Sequence, residues 1–139
     1  MSDSTNRPPT LDHIGIAVKS IQAAKVLYAS LGLSIVSEEP VAAEQVRVAM
    51  IPLDAARLEL LEPTAEDSPV GRFIAKRGEG LHHVAVKVDD IAATLTSLKA
   101  QGTRLVSDEV QVGAGGHLYF FVHPSSAGGV LLEICQDPS

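Results

Sequence analysis

The sequence contains no tryptophan, only two tyrosines and three phenylalanines among 139 residues. Its core must therefore rest on Val, Leu, Ile and Ala, and a ring-lined cleft for sequestering an aromatic drug is not provided for. The lone cysteine, Cys135, has no partner for an internal disulfide, which fits a reducing cytoplasm. No apolar run approaches the roughly 18 residues of a membrane span. Basic residues are outnumbered, 11 against 17 acidic, and the net charge of −6 argues against a nucleic-acid partner, which needs clustered Lys and Arg. The opening stretch, residues 1–10, is polar and carries Arg7-Pro8-Pro9 without an apolar segment. It reads as a flexible tail, not a secretion signal.

What the chain does have is a concealed repeat. Leu11-Asp12-His13-Ile14-Gly15-Ile16-Ala17-Val18 returns as Leu81-His82-His83-Val84-Ala85-Val86-Lys87-Val88, 70 positions later. The offset persists: Ile21 falls on Ile91, Gly32 on Gly102, and Ile35-Val36-Ser37 on Leu105-Val106-Ser107. In each copy an alternating apolar stretch predicts a half-buried strand. Ser20 or Asp90 then offers a helix N-cap, and Gly32 or Gly102 a C-terminal glycine. Three further strands are expected per copy, over Ser34–Ser37, Val46–Leu53 and Arg57–Leu61, then over Arg104–Val106, Leu118–Val122 and Val130–Cys135. A short helix over Ser68–Lys76, capped by Ser68 with Pro69 in its first turn, lies in the segment between them.

The expectation is an α+β fold: two β-α-β-β-β modules, residues 11–62 and 81–136, joined by residues 63–80 into one domain, 11–136, whose curved mixed sheet surrounds a central cleft.

Strand alternation assigns the faces. Ile14, Ile16 and Val18 share one, so His13, Gly15 and Ala17 point oppositely; His83 and Ala85 do the same in the second copy. His82 has the parity of the apolar set and is the weaker cleft candidate. Leu58-Glu59-Leu60 corresponds to Leu132-Glu133-Ile134 at an offset of 74. Each module thus contributes one His and one Glu. A strand His is ordinarily a hydrogen-bonded structural residue and a strand Glu a solvated one. Four at repeat-equivalent positions, with two carboxylates to bury, are better explained by a shared divalent cation.

The repeat and this donor placement resemble the vicinal-oxygen-chelate superfamily, which also holds glyoxalase I, extradiol dioxygenases and drug-sequestering proteins. Three stretches are similar to methylmalonyl-CoA epimerases: Leu11 to Val18; Glu59-Leu60-Leu61-Glu62-Pro63 with Glu66-Asp67-Ser68-Pro69-Val70 and Gly78-Glu79-Gly80-Leu81-His82-His83; and Val112-Gly113-Ala114-Gly115-Gly116 through His123-Pro124 to Glu133. The resemblance implies the vicinal-oxygen-chelate fold and metal ligands His13, His83, Glu133 and Glu59, the last where many epimerases carry Gln. It also implies Co²⁺ before Mn²⁺, Ni²⁺ or Zn²⁺, a homodimer, and epimerisation of methylmalonyl-CoA at C2 through an enolate. Glu133 is implied as one catalytic base. The position of a second base found in some relatives falls on Val48, so Glu44 is the upstream substitute. Gly113, Ala114, Gly115 and Gly116 are implied to hold the substrate carboxylate. The rival readings are a glyoxalase-I-type lactoylglutathione lyase, with the same ligand types, and a metal-free small-molecule-binding protein.

Overall fold

The structure is a computed structural model, and it describes residues 7–138. The chain divides into two compact units, residues 13–82 and residues 7–12 with 83–138. Each carries most of one repeat copy.

In the first unit the elements are β1 (Thr10–Ala17), α1 (Ile21–Ser30), β2 (Ser37–Val41), β3 (Val46–Leu53), β4 (Ala56–Pro63) and α2 (Pro69–Arg77). The strand order is β2-β3-β4-β1, with β1 parallel to β4 and the other pairs antiparallel. Ile14, Ile16 and Val18 pack with Ile21, Ala49, Ile51, Leu58 and Leu60 on the face that α1 covers. The opposite face is closed at one end, where Val70, Phe73 and Ile74 of α2 meet Ala17, Val46 and Leu61.

The second unit repeats the plan with β5 (Gly80–Lys87), α3 (Ile91–Ala100), β6 (Gln111–Val112), β7 (Leu118–Val122) and β8 (Leu131–Gln136), in the order β5-β8-β7-β6. Its core joins Val88, Ile91, Leu95, Phe120, Val122 and Ile134. The modules are therefore both β-α-β-β-β, as expected.

The correspondence reaches single hydrogen bonds. Ser20 and Asp90 each accept from the backbone N–H three residues on, at 3.1 and 3.0 Å. The N–H of Ile21 donates to Glu62 Oε1 and that of Ile91 to Gln136 Oε1, both at 2.7 Å. Glu62 and Gln136 are repeat equivalents, so one device orients both helices on their strands. Gly32 and Gly102 end the helices at φ +84° and +77°, where a side chain would be strained.

Two strands differ from expectation. The ladder of β2 runs over Ser37–Val41, beyond the expected Ser34–Ser37. Ile35 instead packs against the core, and pairing begins with Val36 N–H to the carbonyl of Met50 at 2.9 Å. Arg104–Val106 forms no regular strand: Leu105 makes an isolated bridge to Val122, and the edge of the sheet is the two-residue β6. The apolar alternation there reflects burial of Leu105, not ladder formation.

Of the expected tail, residues 1–6 lie outside the described residues. Arg7 is fixed, donating from its backbone N–H to Asp89 Oδ2 at 2.9 Å and from Nη2 to Oδ1 at 3.1 Å. The Arg7 backbone and guanidinium hold the Asp89 carboxyl below its usual pKa. Among the described residues no helix is long and apolar enough to cross a membrane.

Candidate active site

The face of the first unit opposite α1 is built by register. His13 lies beside Arg57 and Gly15 beside Glu59. Met50 opposes Glu59, and Val48 opposes Leu61. His13 and Glu59 are therefore one ladder step apart on adjacent strands, and His13 Nε2 lies 3.7 Å from Glu59 Oε1, with both side chains largely buried. The second oxygen of Glu59 accepts from Arg57 Nε at 3.1 Å.

In the second unit the same step recurs: Ala85 lies beside Glu133, and His83 beside Leu131. His83 Nε2 stands 3.6 Å from Glu133 Oε1, again with both side chains buried. The second oxygen of Glu133 meets His117 Nε2, also at 3.6 Å. Phe121 and Tyr119 oppose Glu133 and Cys135 on β7, so these rings pave the same face. Phe121 stands edge-on to His83, and the His117 ring stacks on Tyr119 at 6.1 Å. His117, Glu133 and the fully buried Cys135 bring ligand atoms within 4.8 Å of one another.

Within each unit the donors suit a cation. Separations of 3.6 and 3.7 Å exceed an N–H···O hydrogen bond. They approach the spacing of two donors each about 2.1 Å from one ion in tetrahedral or octahedral geometry. Imidazole with carboxylate suits a divalent transition metal. Each expected His–Glu pair is thus assembled inside its own unit.

The other expected residues are placed as follows. Glu44 is exposed, ending a 3-10 turn over Ala42–Glu44 at the β2–β3 corner. The next residue, Gln45, accepts from Thr64 N–H, and Val46 opposes Pro63. Pro63 is four residues beyond Glu59, so the Val46 end of β3, which Glu44 precedes, lies about 13 Å along the strand from that level. Val48 does point to the Glu59 face, since it opposes Leu61. Across from Val48 on β2 stands Glu39, exposed, and directly opposed residues share a face.

The Gly-rich loop forms a 3-10 turn over Ala114–Gly116 between β6 and β7, with Gly115 and Gly116 at φ +69° and +81°. Gly113 N–H donates to the His117 carbonyl at 2.7 Å and Gly116 N–H to that of Gly113 at 3.3 Å. Two of the loop's donors are thus used internally. A Cβ on Gly113 would come 3.2 Å from the Tyr119 ring.

His82, set aside by parity, is half-buried with its ring 5.0 Å from Phe73, and burial lowers its pKa. Sequence reasoning missed Arg57, Glu39 and His117. Arg57 was within reach, because it shares the parity of Glu59. His117 was not, because its contact depends on a ring folded back along the strand.

The family model described as "Glyoxalase/Bleomycin resistance protein/Dioxygenase superfamily" matches residues 12–121. The chain is 36% identical to the ethylmalonyl-CoA/methylmalonyl-CoA epimerase of Cereibacter sphaeroides, over 91% of this chain and 96% of the relative. It is also 36% identical to the mitochondrial methylmalonyl-CoA epimerase of Bos taurus, over 91% of this chain and 73% of that protein. A Streptomyces coelicolor methylmalonyl-CoA epimerase variant in complex with 2-nitronate-propionyl-CoA superimposes with a TM-score of 0.84 at 36% identity, covering 94% of this chain and 95% of that one.

Proposed function

Since the chain belongs to the glyoxalase/bleomycin resistance protein/dioxygenase superfamily, and within it to the methylmalonyl-CoA epimerases, we propose that it interconverts the C2 epimers of methylmalonyl-CoA around one divalent ion. The ion would be held by His13 and Glu59 of one unit and His83 and Glu133 of the other. The observation that carries this reading is the repeated pair: a buried His Nε2 and Glu Oε1 3.7 Å apart in one copy and 3.6 Å apart in the next.

The C2 proton lies between a thioester and a carboxylate, so its removal leaves an enolate. A divalent ion bound at these four residues supplies Lewis-acid stabilisation to the oxygen that gains charge. Glu133 accepts or returns the proton on one face, its carboxylate lying between His83 and His117. For the other face we assign Glu39 in preference to Glu44. Supporting this is its register opposite Val48, the position at which the family resemblance implies a base in some relatives, against the corner position of Glu44. Two bases on opposite faces are what inversion at one carbon requires. The N–H groups of Ala114 and Gly115 carry the contact to the substrate carboxylate. Cobalt is the ion assigned, with Mn²⁺, Ni²⁺ and Zn²⁺ as alternatives, and the assembly is a homodimer; both come from the family resemblance.

The test follows deuterium entry at C2 in D₂O. Exchange should be rapid in metal-loaded protein, abolished by EDTA, and restored by Co²⁺. H13A and H83A should each lose stoichiometric metal. Lactoylglutathione formation without exchange at C2 would instead establish the glyoxalase-type reaction.

A further inference from the structure

Glu59 places a second negative charge where an amide would leave the site with one. Its neighbour two residues back, Arg57, donates from Nε to Glu59 Oε2 at 3.1 Å, while Oε1 faces His13 at 3.7 Å. The pair is intrastrand and same-faced, and Arg57 stands beside His13 in the β1–β4 register. The second copy shows that the fold does not demand it. The position matching Arg57 is Leu131, beside His83 in the β5–β8 register. The repeat position that carries a cation beside Glu59 thus carries a leucine in the second copy.

We propose that Arg57 is a positioning residue that cancels the charge of Glu59 and reserves its Oε1 for the ion, so that the carboxylate acts as a neutral oxygen donor. This rests on the metal reading above. With Glu59, Glu133 and Arg57 the protein side of the site sums to one negative charge, as it would with an amide at 59 and no arginine. A divalent ion then leaves one net positive charge to attract an anionic acyl-CoA and hold an enolate. Without Arg57 that surplus is gone.

The experiment is a double-mutant cycle on R57Q, E59Q and R57Q/E59Q. Two quantities are measured by calorimetry: the Co²⁺ dissociation constant, and the affinity of each Co²⁺-loaded form for 2-nitronate-propionyl-CoA. One unit charge at this range should change each affinity roughly tenfold. R57Q should bind Co²⁺ more tightly and the nitronate more weakly, and E59Q the reverse. The double variant should return both within about threefold of the parent. R57K, which keeps the charge, should resemble the parent.

Unchanged Co²⁺ and nitronate affinities in R57Q would overturn the proposal. So would a double variant that stays about tenfold or more from the parent in either affinity. A parent protein that takes up no Co²⁺ would sink the metal reading and this inference together. Stoichiometric uptake abolished by H13A but insensitive to R57Q would sink only the role of Arg57.

Discussion

His117 Nε2 lies 3.6 Å from Glu133 Oε2 although the two residues stand four ladder steps apart. Glu133 opposes Phe121, and His117 precedes β7. The gap is closed because the imidazole lies back along the strand, stacked on Tyr119 with an interplanar angle of 23°. The carboxylate thereby lies between two imidazoles, one facing each oxygen at 3.6 Å. Replacing His117 by Phe keeps the stack and removes the polar contact. We expect H117F to lose about fivefold in kcat/KM, the worth of one modest polar interaction, with an unchanged thermal midpoint. Equal losses in H117F and H117A would agree with this account; full activity in H117F would refute it.

The segment between the modules depends on Ser68 and Gly71. Ser68 is fully buried, its Oγ accepting from Gly71 N–H at 3.0 Å and donating to the Ala65 carbonyl at 2.7 Å. It caps α2 and closes the preceding turn at once. S68A should lower the unfolding free energy by about 1–2 kcal/mol. At Gly71 a Cβ would fall 2.5 Å from the Glu66 carbonyl oxygen and 2.7 Å from that of Ala65, both backbone atoms that cannot swing aside. G71A should therefore destabilise by roughly 1–3 kcal/mol. Urea midpoints at constant slope check both; a neutral G71A would mean that the turn at 65–66 shifts freely.

Much of this architecture could be read from local signals. Ser20, Asp90 and Ser68 all cap the expected helices, because a cap needs only its own turn. The inward faces of His13, Glu59, His83 and Glu133 followed from parity along single strands. What depends on partners was not readable. The span of β2 is set by its turn to β3, which uses Gln45 at φ +53°, and neither the turn nor the pairing of Glu39 with Val48 has a mark in the sequence. Edge strand β6 is two residues long, too short for any periodicity. Arg57 was legible by the same parity that found Glu59; His117, held by a ring stack, was not.

Asp89 gives a pH signature remote from the site. The backbone N–H of Arg7, and then its guanidinium, lower the Asp89 pKa below 3.8. A carboxyl depressed on folding adds stability above its unfolded pKa and loses it as pH falls through the lower folded value. D89N should thus be slightly less stable than the parent at neutral pH. The two thermal midpoints should converge as pH falls below about 3.9, the unfolded Asp value. A difference that persists undiminished to pH 2 would exclude this linkage.

The assignment of the second proton-transfer group separates Glu39 from Glu44. Glu39 opposes Val48, on the face that carries Glu59. Glu44 closes the corner turn near Thr64, beyond the end of the β3–β4 ladder. Proton transfer by a placed side chain contributes about 10²–10⁴-fold. E39Q should therefore lower epimerisation at least a hundredfold, whereas E44Q should stay within about twofold of the parent. The loss should also be one-sided. With Glu133 intact, deuterium should still enter when the substrate epimer offers its proton to Glu133. It should fail from the other epimer, so single-epimer assays in D₂O separate a missing base from a damaged site. A large, one-sided loss in E44Q with normal turnover in E39Q would reverse the assignment. A two-sided loss in E39Q would point to substrate binding in place of proton transfer.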